Sequence, residues 1–208
     1  MRAEEEVRRI DLEDVEVFIA LQDAFVHEHH SLSREVYKEV TLLDWQHSLV
    51  CPRDVLEKPG GRREQLVSIV KQEHSCYRHL YILLVRGAGR EVGYIMYQVH
   101  KGKRKDAIPS AYVEVKQIFV EPDMRKRGFG KLLVDGMMQA LEGQDIRSIR
   151  LSVLDLNDAA TKWYRAQGFV MTGLVWEYIG PADHSLLVAY QAFSQASVKC
   201  FCFGNTVS

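Results

Sequence analysis

Apolar positions follow two rhythms along this chain, and the changeover lies near residue 80. Before it, a short strand is expected at about residues 5–9, and Asp11 then caps a helical stretch. Val15, Ile19 and Leu21–Ala24 mark the apolar side of that helix. Ser33 with Val36, Val40, Leu43 and Leu49 predicts a second helix, closed by Pro52. Residues 51–62 hold two Pro and two Gly among charges and read as a loop; Glu64 to Glu73 fits a third helix. From Leu80 the texture is that of strands. Leu80–Val85, a turn at Gly87-Ala88-Gly89-Arg90 and Val92–His100 predict a hairpin, and Tyr112–Val120 a long third strand. Gly128–Leu141 reads as helix, Ser148–Leu154 as strand, Asn157–Ala166 as helix, and Phe169–Met171 and Leu186–Tyr190 as closing strands. Helices, a strand meander and then alternating strand and helix predict a mixed α/β layer protein.

Composition narrows the functional classes. The 208 residues are 47% hydrophobic and 26% charged, which suits one folded domain. The 27 Lys+Arg balance 28 Asp+Glu, so no global basic excess draws nucleic acid or membrane. Apolar runs such as Tyr81-Ile82-Leu83-Leu84-Val85 fall far short of the ~20 residues a bilayer needs. Met1 to Ile10 lacks a signal-peptide apolar stretch, and Cys51, Cys76, Cys200 and Cys202 are too scattered for a disulfide scaffold. The expected compartment is the cytoplasm, with the nucleus as the alternative. His27, His29 and His30 have no second ligand cluster, so no metal is expected. Lys101–Lys105 reads as a solvated loop.

The chemistry concentrates in Gln117-Ile118-Phe119-Val120-Glu121-Pro122-Asp123-Met124-Arg125-Lys126-Arg127-Gly128-Phe129-Gly130-Lys131. A strand runs into a turn with two glycines, and a helix follows at once. Gly128 and Gly130 allow close backbone approach, and the first amides of a helix lack partners within it. Such a turn cradles phosphate. Arg125, Lys126, Arg127 and Lys131 crowd a helix start whose dipole opposes them, which makes most sense with a polyanionic ligand. A P-loop would need Gly at Arg125 and Ser or Thr at Leu132; a dinucleotide fingerprint would need Gly at Leu133. Both fail.

What remains, Arg-x-x-Gly-x-Gly after a strand and Val-x-Pro, closely resembles the acetyl-CoA signature of the GNAT superfamily of N-acetyltransferases. Asn157-Asp158-Ala159-Ala160-Thr161-Lys162-Trp163-Tyr164-Arg165-Ala166-Gln167-Gly168-Phe169 is similar to that family's second block, Asn-x-x-Ala followed by Tyr-x-x-x-Gly-Phe. The resemblance covers about residues 80–190, within a single domain spanning 1–208. Residues 11–75 would then be the helical cap on the acceptor side. It implies a central, mostly antiparallel sheet, splayed at the cofactor cleft and flanked by helices. It also implies acetyl-CoA as donor, held by Ile118, Phe119, Val120, Arg125, Lys126, Arg127, Gly128, Phe129, Gly130, Lys131, Asn157 and Tyr164. The amides of Ile118, Phe119 and Val120 would face the acetyl oxygen and the pantetheine arm.

Transfer to an amine needs a base and an acid. Glu114 interrupts an apolar strand 11 residues before Arg125 (125 − 114), the offset of acidic catalytic residues in some family members, including histone acetyltransferases. A carboxylate in a partly apolar cleft suits a general base; the competing reading is an ion pair with Lys116, on the same strand face. Tyr164 falls on the family's thiolate-protonating tyrosine. Asn157 would both contact the cofactor and cap its helix. The expected acceptor is a primary amine, on a small molecule or a protein lysine, attacking directly in a ternary complex of a monomer or homodimer. Trp176-Glu177-Tyr178-Ile179-Gly180-Pro181-Ala182-Asp183-His184 is similar to a segment of NatE-type protein N-terminal acetyltransferases. Val175 and Trp176 replace the paired tyrosines there, Ser152 a catalytic histidine, and Glu114 a tyrosine, so N-terminal acetylation is the alternative. A silent acyl-CoA-binding module is the alternative from another class.

Overall fold

The structure, a computed structural model, describes residues 5–33, 61–73, 79–101, 111–153, 157–171 and 176–179. The chain divides into two interleaved compact units: residues 1–98 with 116–137, and 99–115 with 138–208. Two strands, Arg90–His100 and Tyr112–Val120, pass from one unit into the other.

In the first unit β1 (Glu6–Arg9) pairs antiparallel with β2 (Leu80–Gly87), and β2 with β3 (Arg90–His100). β4 (Tyr112–Val120) lies beside β3, giving the order β1-β2-β3-β4. The hairpin expected from the sequence is present and turns at Ala88 and Gly89, both at positive φ. Val85 pairs with Gly93 but Arg86 with Glu91, so Val92 is an extra residue and β3 bulges there. Val92 to Tyr97 are all buried, the mark of a strand covered on both faces.

Asp11 starts the first helical segment as expected. Its side chain accepts from the Leu12 amide, and Asp14 answers from the third position of a short 3-10 turn. That turn leads into α1 (Val15–Ser33). Asp14 is pinned by Arg8, whose guanidinium reaches both carboxylate oxygens at 2.6 and 2.7 Å and Glu91 at 2.8 Å. The Arg8 hydrogen bonds hold the Asp14 carboxyl below its ordinary value despite burial. The third expected helix is α2, Gly61–Lys71. Val15, Phe18 and Leu21 of α1 and Leu66 and Ile69 of α2 pack with Ile82, Leu84, Tyr94, Met96 and Phe119 into one apolar cluster. Phe18 meets Tyr94 edge-on, with ring centroids 4.8 Å apart. The second helix expected between Ser33 and Pro52 lies, beyond Ser33, outside the described residues.

α3 (Phe129–Ala140) begins in the first unit and ends in the second. In the second unit β4 pairs parallel with β5 (Ser148–Leu151), from Tyr112↔Ser148 to Val115↔Leu151. β5 pairs antiparallel with β7 (Trp176–Ile179), and β7 with β6 (Val170–Met171), in the order β4-β5-β7-β6. α4 (Asp158–Ala166) precedes β6. β5 stops earlier than the expected Leu154. β7 was not foreseen from its sequence, and the strand expected at Leu186–Tyr190 lies outside the described residues.

Gly93 sets how closely β3 and β4 can pack. A Cβ there would stand 2.5 Å from the Phe119 carbonyl oxygen, a backbone atom that cannot swing aside. At Gly136 the near atom is a Val7 side-chain methyl at 2.6 Å, on the short strand β1. Gly93→Ala should therefore lower stability by about 2 kcal/mol or more, and Gly136→Ala by distinctly less. Urea midpoints of the two variants check the ranking.

Candidate active site

The first element of the site is the end of β4. Its buried residues alternate as Val113, Val115, Gln117 and Phe119, so Tyr112, Glu114, Lys116, Ile118 and Val120 share the other face. The Glu121 amide donates to the Val92 carbonyl on β3 at 2.9 Å. Backbone groups alternate in direction along a strand, so Phe119 also turns toward β3, and Ile118 and Val120 turn to the opposite edge. The Val120 carbonyl agrees, because it accepts from Arg125 Nε at 2.9 Å instead of from a strand. Of the three amides expected to serve the acetyl group, Ile118 and Val120 lie on the edge away from β3, and Phe119 does not.

After β4 a 3-10 turn at Pro122–Met124 leads to Arg125. Lys126 and Gly128 both take positive φ, at 62° and 95°. The Gly128 carbonyl accepts from the Leu132 amide at 3.0 Å, which makes Gly128 the N-cap residue of α3. Glycine offers no side-chain acceptor, so nothing on the cap residue covers the Phe129 and Gly130 amides, which precede the first bond of the helix. A Cβ placed on Gly128 would meet nothing within 4 Å. The turn leaves open space beside amide donors and a positive helix end, which suits a phosphate group.

Three of the four cations of this turn are already engaged. Arg125 pairs through both terminal nitrogens with Glu28 of α1, and its guanidinium lies 5.8 Å from the Phe119 ring centroid. Arg127 donates to the Asp123 carbonyl at 3.0 Å, and Lys131 Nζ sits 2.6 Å from Asp135 one helical turn on. These contacts compensate charges that the helix dipole would otherwise repel.

In the second unit Glu114 stands half-exposed, 3.0 Å from His100 Nε2 through its Oε2. The His100 ring stacks on Tyr112 at 4.5 Å with planes 10° apart, and the Arg150 guanidinium lies 4.3 Å from the same ring centroid. Two groups so close to one centroid must occupy opposite faces of Tyr112. Arg150 is also the cross-strand partner of Glu114 on β5. Sequence spacing points to Lys116 as a partner of Glu114; His100, fourteen residues away, reaches it because β3 lies next to β4.

Asn157 caps α4 as expected, accepting from the Ala160 amide at 3.0 Å. Tyr164, on the same helix, is buried against Trp163 and Phe169, with ring centroids at 5.0 and 5.5 Å. Burial pushes its phenol well above its ordinary value, so the hydroxyl keeps its proton throughout the physiological range.

Residues 42–169 match the acetyltransferase (GNAT) family. The chain belongs to that family. Acetyl transfer is the activity that names the family. The fold agrees: the PaiA N-acetyltransferase of Thermoplasma acidophilum, solved with coenzyme A, superposes with a TM-score of 0.62 at 16% identity, over 85% of this chain and 99% of that one. AAC(6')-Iy, solved with a bisubstrate analogue, gives a TM-score of 0.55 at 15% identity, over 82% of this chain and 94% of that one. A mycothiol acetyltransferase of Acidimicrobium ferrooxidans is 30% identical over 112 residues, 52% of this chain; the match spans only 35% of that relative's length. Among the described residues no helix is long and apolar enough to cross a membrane, and no group of three metal-binding side chains comes together.

Gly89 provides a control for the Gly128 turn, because it too has positive φ and open space, but in the hairpin turn. Ala at either position should carry similar backbone strain. Gly128→Ala should weaken acetyl-CoA binding about tenfold or more, and Gly89→Ala should leave it unchanged. Calorimetric titration of both folded variants decides.

Proposed function

We propose that this acetyltransferase moves the acetyl group from acetyl-CoA to a primary amine, on a small molecule or a protein lysine, by direct attack in a ternary complex. The observation that carries this reading is Glu114, a half-exposed carboxylate bonded to His100, on the strand that leads into the Gly128 turn. The Glu114 carboxylate takes the proton of the incoming ammonium, directly or through water, and frees the amine to attack. An α-amine near pKa 8 needs little such help, whereas a lysine-type amine near 10.4 needs a base. The presence of a base therefore favours the more basic acceptor over a peptide N-terminus.

The phosphates rest on the Phe129 and Gly130 amides over Gly128, with Lys126, Arg127 and Lys131 supplying positive surroundings. Ile118 and Val120 donate along the edge of β4 to the pantetheine arm and to the acetyl oxygen as it gains charge. Asn157 contributes its amide nitrogen to the donor, its oxygen being used by the helix cap. Tyr164 gives its proton to the departing thiolate; burial keeps the phenol protonated but also makes it a weaker acid, so the transfer depends on close positioning. Arg125 holds the loop rather than the donor, since its nitrogens are spent on Val120 and Glu28.

Glu114→Gln tests the reading. Assayed against polyamines, aminoglycosides, amino acids and peptides, the best acceptor should show a kcat deficit of about 10- to 1000-fold at neutral pH. The deficit should shrink as pH rises past the acceptor's own pKa, where the amine is already free. A deficit that stays constant with pH would leave Glu114 as an orienting group. No turnover with any amine, alongside firm acetyl-CoA binding, would favour a silent acyl-CoA-binding module.

A further inference from the structure

We propose that Glu28 is a positioning residue for the acetyl donor. From α1 it holds Arg125 across the end of β4; through Arg125 it fixes the Val120 edge and couples donor binding to the C-terminal half of α1. The inference rests on the reading of the Gly128 turn and the outer edge of β4 as the donor site.

All the groups involved lie in the first unit. The Arg125 guanidinium makes a fork with both carboxylate oxygens of Glu28, Nη1 donating to Oε1 at 2.8 Å and Nη2 to Oε2. Its Nε is left for the Val120 carbonyl at 2.9 Å, and the guanidinium lies 5.8 Å from the Phe119 ring centroid. Phe119 in turn meets Phe25, three residues before Glu28 on α1, edge-on at 6.2 Å. α1 thus grips the junction of strand and turn at two points. The pairing of β4 with β5 ends at Val115↔Leu151, so the Val120 carbonyl is an edge group satisfied by Arg125 and not by that strand. Without Glu28 the guanidinium loses the partner that orients it, and the edge and turn lose their polar tie to α1.

Neither folding stability nor simple attraction accounts for the pair. Both side chains are partly exposed, so water screens them and the pair adds little to stability. A carboxylate beside the turn also opposes a polyanionic donor, which an unpaired Arg125 would attract more strongly. What the pairing supplies is order. The Val120 edge and the amides beyond Gly128 are in place before the donor arrives, so less freedom is lost on binding. A tie between two elements works in both directions: a donor that settles the turn also settles α1.

The sign of one substitution separates positioning from charge. Glu28→Gln removes a negative charge and keeps the side chain's size. Electrostatics alone predicts tighter acetyl-CoA binding by calorimetry, whereas positioning predicts binding weaker by about fivefold or more. The loss should appear in KM for acetyl-CoA, with kcat little changed. Arg125→Lys keeps the charge but not the fork; it should weaken binding to a similar degree, and Glu28→Gln should add no further loss in that background. Without turnover, hydrogen exchange in α1 peptides spanning Gln22–Glu28 should slow when acetyl-CoA binds the wild type and not when it binds Glu28→Gln. Equal slowing in both would overturn the coupling to α1. Gly128→Ala is the reference for the site itself. If it weakens binding while Glu28→Gln, with an unchanged thermal midpoint, binds acetyl-CoA as tightly as wild type or more so, the inference about Glu28 is overturned and the donor site stands. If both variants bind like wild type, the donor-site reading falls and the role of Glu28 with it.

Discussion

Everything assigned to the site hangs on the two-residue alternation of β4. Gln117 and Phe119 are drawn inward with Val113 and Val115, and this commits Tyr112, Glu114, Lys116, Ile118 and Val120 to the other face. The same alternation points the Phe119 amide at β3 and the Ile118 and Val120 amides away from it. The bulge at Val92 and the bare Cα of Gly93 let β3 come close enough to fix that register. A slip of one residue would bury Glu114 and turn the wrong amides to the outer edge.

Electrostatics at the phosphate turn shows a compromise between holding a loop and holding an anion. Four cations within seven residues, beside a positive helix end, would repel one another and the dipole. The fold answers by pairing three of them: Arg125 with Glu28, Lys131 with Asp135, Arg127 with a backbone carbonyl. What remains for a phosphate is mainly geometric, a side-chain-free cap over backbone amides. Arg125 is the clearest case of such pairing. Its bridge from the Val120 carbonyl to α1 makes the loop rigid, and preorganised donors lose little when a ligand arrives.

Much of this was legible in the sequence because the signals were local. The hairpin, the capping at Asp11 and Asn157, the helix start at Gly128 and the long third strand each depend on residues a few positions apart. What escaped depends on distant neighbours. His100 meets Glu114 because β3 and β4 lie side by side, and Arg125 meets Glu28 because α1 reaches the loop; neither pairing has a signature in spacing. Consecutive strand residues turn to opposite edges, so of Ile118, Phe119 and Val120 only Ile118 and Val120 share one. Trp176–Ile179 was weighed as an acceptor segment and forms strand β7, whose pairing with β5 no local pattern announces.

The central claim is that the outer edge of β4 and the cap of α3 together receive the acetyl donor. Titrating acetyl-CoA into uniformly 15N-labelled protein and following the backbone amide signals tests it residue by residue. The account predicts large shifts at Ile118, Val120, Phe129 and Gly130, and a small one at Phe119, whose amide is turned to β3. A large shift at Phe119 with Ile118 and Val120 undisturbed would contradict it.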